Sequence, residues 1–188
     1  NRIRSMRMNK QILELLKSKN VVLEKGLSAK EFNHIKSIYN IEFPIPLKDL
    51  LRNILPVSKG FYNWRNFNEK NIKFIKACME FPIKNICNLA NEVDWCDEWG
   101  MEPEDEKIRD NEIRKRTLKA PKLIPVYSHR YMPLGQFNSY PILSISGVDV
   151  IYYGKDLDDY IRIEFGDKKQ SELDYKIIQK VPFWTDLM

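Results

Sequence analysis

The chain has 188 residues, a length that is enough to bury one hydrophobic core. Hydrophobic residues make up 43% of it, and only seven residues are glycine, which excludes collagen-like and glycine-rich architectures. Its formal net charge of +5 is local: residues 1–25 hold seven Lys or Arg against two Glu, and residues 26–188 are neutral overall. A nucleic-acid-binding face spread over the whole domain is therefore disfavoured.

The first predicted elements are helical. Apolar residues recur among bases in residues 10–19 and predict an amphipathic helix within a basic N-terminal helical extension, residues 1–25. Ser28 followed by Glu31 has the spacing of a capping box, in which each side chain satisfies a backbone donor at the helix start. We therefore expect a second helix that ends near Tyr39.

Prolines divide the next part of the chain. They predict an extended link at residues 43–46, because the residue before a proline avoids the helical region. Residues 47–55 have helical spacing of apolar side chains, and Pro56 is expected to end that helix. A further helix is predicted over residues 68–80, and Pro82 is expected in the first turn of another, where a missing N–H costs nothing.

An aromatic run occupies residues 61–67. Beside Arg65 and the N-terminal bases, these rings suggest an alternative function, nucleic-acid binding by base stacking. Few bases accompany them, so we favour the interpretation that they cap the edge of a core.

The predicted strands lie in the C-terminal half. Residues 123–127 form one strand, in which a proline is tolerated at a sheet edge. A long loop is expected to carry His129. Residues 142–146 and 148–153 then predict an antiparallel hairpin, because Gly147 supplies the positive φ of a tight turn.

The closing part of the chain is predicted to pack back on the domain. Asp156 is a suitable N-cap for a helix over residues 157–165, which Gly166 ends. Residues 177–184 are too apolar for a free tail. No apolar run is long enough to cross a membrane, and we expect a cytoplasmic protein without a membrane partner.

The three cysteines do not form a metal-binding pattern. Cys78, Cys87 and Cys96 are nine residues apart, so consecutive thiols face opposite sides of a continuous helix. Neither His34 nor His129 has a second ligand at short spacing. We predict buried free thiols in a reducing compartment, no metal and no cofactor.

His129 is the main candidate for catalysis. Its neighbour Ser128 is a possible nucleophile, but adjacent residues of an extended chain point to opposite faces. We favour a structural role in which His129 and Arg130 hold loop carbonyls, and an enzyme that uses His129 stays as an alternative. No phosphate-binding glycine motif is present.

An acidic run with two tryptophans is the candidate partner-binding surface. An acidic surface rimmed by aromatic residues suits a basic protein partner, whose encounter it would steer. The simpler interpretations are a solvated face, or pairing with the bases that follow in the next helix. The candidate residues are Trp95, Asp97, Glu98, Trp99, Glu102, Glu104, Asp105 and Glu106.

Three blocks of the sequence resemble the SUKH superfamily, which includes the fungal cell-wall assembly regulator and many bacterial immunity proteins. The first block is GLSAKE at residues 26–31, with IEFP at 41–44 and LKDLL at 47–51. The second contains Trp95, Trp99, Gly100 and Pro103. The third and most specific is LIPVYSHRYMP at 123–133 with DVIYYG at 149–154.

The resemblance implies a single α+β domain over residues 26–188, a mostly antiparallel sheet with helices packed around it. It also implies a non-enzymatic protein: an immunity protein or antitoxin that binds and blocks a cognate bacterial toxin, for example a nuclease. Binding surfaces vary within the superfamily, so the resemblance assigns no contact residue.

Overall fold

In the computed structural model, the backbone is described for residues 2–188 and the side chains for residues 10–188. Among these residues are six α-helices and six strands. The helices are α1 (Arg2–Ser18), α2 (Ala29–Tyr39), α3 (Ile45–Asn53), α4 (Glu69–Asn88), α5 (Glu106–Lys119) and α6 (Leu157–Phe165). The strands are β1 (Leu23–Lys25), β2 (Ile54–Pro56), β3 (Leu123–Tyr127), β4 (Arg130–Pro133), β5 (Ile142–Ser146) and β6 (Asp149–Gly154).

The four C-terminal strands form one antiparallel sheet in the order β3-β4-β5-β6, and β1 pairs with β2 in a small second sheet. The predicted α+β class with an antiparallel sheet is confirmed. The β5–β6 hairpin turns at Gly147, which has a φ of 64°, as its sequence predicts. β3 is an edge strand, and this is why it tolerates Pro125.

Each face of the four-stranded sheet is covered by its own hydrophobic core. Ile124, Met132 and Ile142 belong to the core that includes α2, α3 and α6. Residues of the opposite face, among them Leu143, pack with α5 and the C-terminal segment, where Trp184 is fully buried. The prediction that the C-terminal segment packs back on the domain is therefore confirmed.

The N-terminal extension contributes to the first of these cores. Ile12 and Leu16 of α1 are buried in it, and α1 packs against α6. The bases that precede Lys10 lie outside the described side chains. None of the helices in the described part of the chain combines the length and the apolar character needed to cross a bilayer.

Three predicted helix boundaries are wrong. The extended link stops at Pro44 rather than at Pro46, because α3 begins at Ile45 and Pro46 lies in its first turn, where a missing N–H costs nothing. Ile54 and Leu55 do not continue α3 but form β2, because their backbones pair with β1 in the order Lys25↔Ile54 and Glu24↔Leu55. Pro82 does not begin a new helix but lies inside α4. Pro82 has no N–H for the carbonyl of Cys78 four residues earlier, and the hydroxyl of Tyr131 donates to that carbonyl instead, at 3.2 Å.

The predicted long loop after β3 is wrong in part, because Arg130–Pro133 within it form β4 while residues 134–141 remain a loop. The chain reverses in a tight turn at Ser128, whose φ of 47° lies in the left-handed region, and Arg130 already pairs with Tyr127. The N–H of Ile145 in β5 donates to the carbonyl of His129 at 3.1 Å. Hydrogen bonds on both sides therefore make this short segment a strand.

Candidate partner-binding site

The acidic run lies in the connection between α4 and α5, and we call residues 94–106 the acidic platform. Its candidate carboxylates, on Asp97, Glu98, Glu102, Glu104, Asp105 and Glu106, all belong to exposed residues. Trp95 and Trp99 are half-buried beneath them. The eight candidate residues thus share one segment of chain, and the rings of Trp95 and Trp99 are in direct contact.

Trp99 is fixed by three contacts of its indole ring. Phe183 stacks on it with the ring centroids 5.8 Å apart and the planes 5° from parallel. The guanidinium carbon of Arg116 lies 5.2 Å from the ring centroid of Trp99, a cation–π distance. The indole Nε1 donates to Asp186 Oδ2 at 3.0 Å. The C-terminal segment therefore holds the platform in place through its contacts with Trp99.

Trp95 completes this aromatic cluster. Its ring is perpendicular to that of Trp99 at a centroid distance of 5.4 Å, and its Nε1 donates to the carbonyl of Gly100 at 2.8 Å. Both indole N–H groups are thus used within the molecule. The tryptophans hold the platform in shape and leave only part of their ring surface for a partner.

Arginines of α5 clamp the connection to the helix. Arg109 donates to the carbonyl of Val93 at 2.6 Å and forms an ion pair with Glu102. Arg116 donates to the carbonyl of Trp99 at 3.3 Å. Part of the acidic run is therefore paired with the bases of α5, as one of the simpler interpretations expected.

The carboxylates differ in what they already contact. Glu98 forms an exposed ion pair with Lys180 at 3.1 Å, and Asp105 caps α5 by accepting from the N–H of Ile108 at 3.0 Å. Within the described part of the chain, the carboxylates of Asp97, Glu104 and Glu106 have neither an ion pair nor a side-chain hydrogen bond. These three carboxylates, together with that of Asp94, which is exposed and equally without such a contact in the described chain, are available to a basic partner.

Sequence reasoning missed an apolar residue on this platform. Met101 is 95% exposed, and Ile108, one turn into α5, is 61% exposed. Methionine is a flexible side chain that suits binding surfaces. The signal was present in the sequence as a methionine that follows Gly100 inside an acidic run, where no helical or strand period would bury it.

His129 contacts its immediate neighbours. Ser128 Oγ lies 3.2 Å from His129 Nδ1, so the expectation that the two side chains point apart is wrong, because the chain turns here rather than extending. His129 Nε2 contacts the guanidinium of Arg130. Partial desolvation of the ring and the nearby Arg130 charge lower the pKa of His129 below its ordinary value.

Arg130 is buried and holds side chains rather than the loop carbonyls that we expected. It donates to Glu164 Oε2 at 3.1 Å and to Ser144 Oγ at 2.8 Å. Its guanidinium carbon lies 3.7 Å from the centroid of the Tyr153 ring. These contacts join β4, β5, β6 and α6, and they leave His129 beside a charge that is already paired.

The surroundings of the cysteines and of the aromatic run, residues 61–67, favour structural roles over catalytic or binding ones. Burial raises the pKa of the Cys78 and Cys87 thiols, the opposite of what activates a nucleophile. No group of three His, Cys, Asp or Glu side chains in the described chain is arranged to hold a metal ion.

Tyr62 and Trp64 are buried in the core, and Phe61 stacks on Phe165, which confirms that the aromatic run caps a core edge.

Comparisons with known proteins identify no relative of this chain. No family model, no curated protein and no solved structure matches the chain. The SUKH resemblance therefore stays a prediction that rests on the three sequence blocks.

Proposed function

We propose that this chain is a non-enzymatic protein-binding domain of the SUKH type, an immunity protein that binds and blocks a bacterial toxin through its acidic platform. The family assignment rests on the sequence blocks. The binding surface is inferred from four exposed carboxylates that have neither an ion pair nor a side-chain hydrogen bond in the described chain, Asp94, Asp97, Glu104 and Glu106, beside the exposed Met101.

The platform is held in shape before any partner arrives. Trp99 is fixed by Phe183, Arg116 and Asp186, and Arg109 holds the carbonyl of Val93 and the carboxylate of Glu102. A surface that is already ordered loses little conformational entropy on binding. Its carboxylates would attract a basic toxin over a distance and raise the association rate, and Met101 would supply apolar contact.

The two alternative functions have less support. Nucleic-acid binding through residues 61–67 needs exposed rings, but Tyr62 and Trp64 are buried. An enzyme that uses His129 needs a base with access to substrate, but both ring nitrogens contact Ser128 or Arg130. These contacts favour protein binding over either alternative.

The direct test is a titration of toxins encoded beside this gene against the purified chain by calorimetry. The variant D97N/E104Q/E106Q removes three of the four unpaired carboxylates with little change of shape, and we expect it to bind at least about tenfold more weakly. The matched control E14Q/D149N/D167N removes three exposed carboxylates elsewhere and should bind as the wild type does. If no neighbouring toxin binds more tightly than an unrelated basic protein, the proposed function is wrong.

A further inference from the structure

An open groove crosses the molecule between the end of α2, the side of α4 and the last turn of α5. It consists of two adjoining hollows with volumes of about 490 and 520 Å³, which share Asn40 and Lys122. We call it the lysine groove. No residue of the acidic platform lines it.

The lysine groove has apolar walls that the fold leaves uncovered. Met79 and Ile83 of α4 line one hollow and are half-buried. Leu118 of α5 lines the same hollow and is 69% exposed, and Ile45 lines the other and is also 69% exposed. An exposed aliphatic side chain in each hollow gives a binding segment two apolar contacts.

The charges of the first hollow are predominantly positive. Lys76, Lys84 and Lys122 line it, together with Glu80 as the one acid. Glu80 is paired with Lys84 at 2.6 Å along α4. Within the described part of the chain, Lys76 and Lys122 have no ion pair. The second hollow adds one acid, Glu42, which is paired with Lys36. The groove therefore offers two lysines, Lys76 and Lys122, that form no ion pair with a carboxylate of its lining.

We infer that the lysine groove binds an acidic, amphipathic segment of a protein partner. Carboxylates of that segment would pair with Lys76 and Lys122, and its apolar side chains would cover Leu118 and Ile45. A small anionic lipid fits less well, because small-molecule sites typically enclose about 70–90% of their ligand, and this groove is open along its length. Two hollows that adjoin in space suit an extended peptide chain.

The lysine groove and the acidic platform select opposite charges. An acidic segment is repelled by the carboxylates of the platform, and a basic partner is repelled by Lys76 and Lys122. The inference goes beyond the proposed function and does not depend on it. A chain with both surfaces can hold two partners of opposite charge at the same time.

Selection from random 12-residue peptides displayed on phage, with the full chain as bait, tests this inference. Synthetic copies of the enriched peptides are then titrated by fluorescence anisotropy. The variant K76E/K122E reverses the charges of the two lysines without an ion pair, and K59E/K155E makes the same charge change at exposed lysines away from the groove. Leu118→Ser is paired with Ile177→Ser, because both residues are 69% exposed in the wild type.

We expect enriched peptides that combine Asp or Glu with aliphatic or aromatic residues. Their Kd should rise at least about tenfold for K76E/K122E and severalfold for Leu118→Ser, and stay within about twofold for the two controls. Enrichment of basic or neutral peptides, absence of enrichment, or equal binding by K76E/K122E would overturn the inference. So would concentration-dependent dimerisation that K76E/K122E abolishes, because the occupant would then be a second copy.

Discussion

Arg65 connects the beginning of α2 to the strand before it. Its guanidinium donates to Glu31 at 2.6 Å, to Glu24 at 2.9 Å and to the carbonyls of Lys25 and Gly26 at 2.8 and 3.0 Å. Glu31 also accepts from the N–H of Ser28 at 2.7 Å, within the capping box. One arginine thus satisfies four acceptors from a short stretch of chain.

These contacts lower the pKa of Glu31 from its ordinary value of 4.5 to about 2, with the hydrogen bond from Arg65 as the largest cause. A carboxyl whose pKa is lower in the folded state stabilises the fold above the unfolded pKa, and this contribution is lost as the pH falls through the folded pKa. The stabilisation should therefore be complete above about pH 4.5 and disappear towards pH 2.

The variant Glu31→Gln keeps the shape of the side chain but not its charge. At pH 6.5 we expect it to unfold with about 2 kcal/mol less free energy than the wild type, a value reduced because both partners are partly exposed. At pH 3 the difference should fall to less than half. Urea unfolding at the two pH values measures it, and a difference that does not change with pH would contradict this account.

At this scale, the sequence predicts local partners well and distant ones poorly. Ser28 and Glu31 are three residues apart, so their reciprocal hydrogen bonds follow from the helix start alone. Arg65 lies 34 residues from Glu31, and no periodicity connects them. The same holds for Trp99 and Asp186, whose contact fixes the acidic platform.

α4 shows how one element depends on another. A proline inside a helix removes a hydrogen bond and usually ends or bends the helix, yet α4 runs from Glu69 to Asn88 through Pro82. The carbonyl of Cys78 that Pro82 leaves without a partner accepts from Tyr131 Oη of β4. The sheet therefore supplies the hydrogen bond that the helix lacks.

A double-mutant cycle tests this compensation. Tyr131→Phe should cost about 1–2 kcal/mol of unfolding free energy, because it leaves the Cys78 carbonyl unsatisfied. In a Pro82→Ala background the residue at position 82 regains its N–H, and the same Tyr131→Phe change should cost less than about 0.5 kcal/mol. Equal costs in the two backgrounds would show that the hydroxyl has no such role.

The element predictions failed where tertiary contacts override local signals. Hairpin β5–β6 and helix α6 follow from Gly147 and from the cap at Asp156, which are local features. Pro82 predicts a helix end, but the hydrogen bond from Tyr131 compensates for the N–H that the proline lacks. β2 is a strand only because β1 lies beside it. β4 is short and begins directly after a turn. Its four residues are too few for an alternation of apolar and polar side chains to predict a strand without knowledge of the neighbouring strands.

Across the whole molecule, charge is separated onto distinct surfaces although residues 26–188 are neutral overall. The acidic platform follows α4, and the lysine groove lies beside α4 and the end of α5. The C-terminal segment, through Phe183 and Asp186, supports the platform. The composition of the platform was readable from the sequence, but its support and the groove required the fold.

The central claim is that a protein partner binds on the acidic platform, and a hydrogen–deuterium exchange footprint of the bound partner tests it most directly. When a neighbouring toxin saturates the chain, we predict that backbone amides of residues 94–108 exchange more slowly, while those of residues 61–67 and of the turn at His129 do not change. Protection at either of those two regions, with the platform unaffected, would contradict the account.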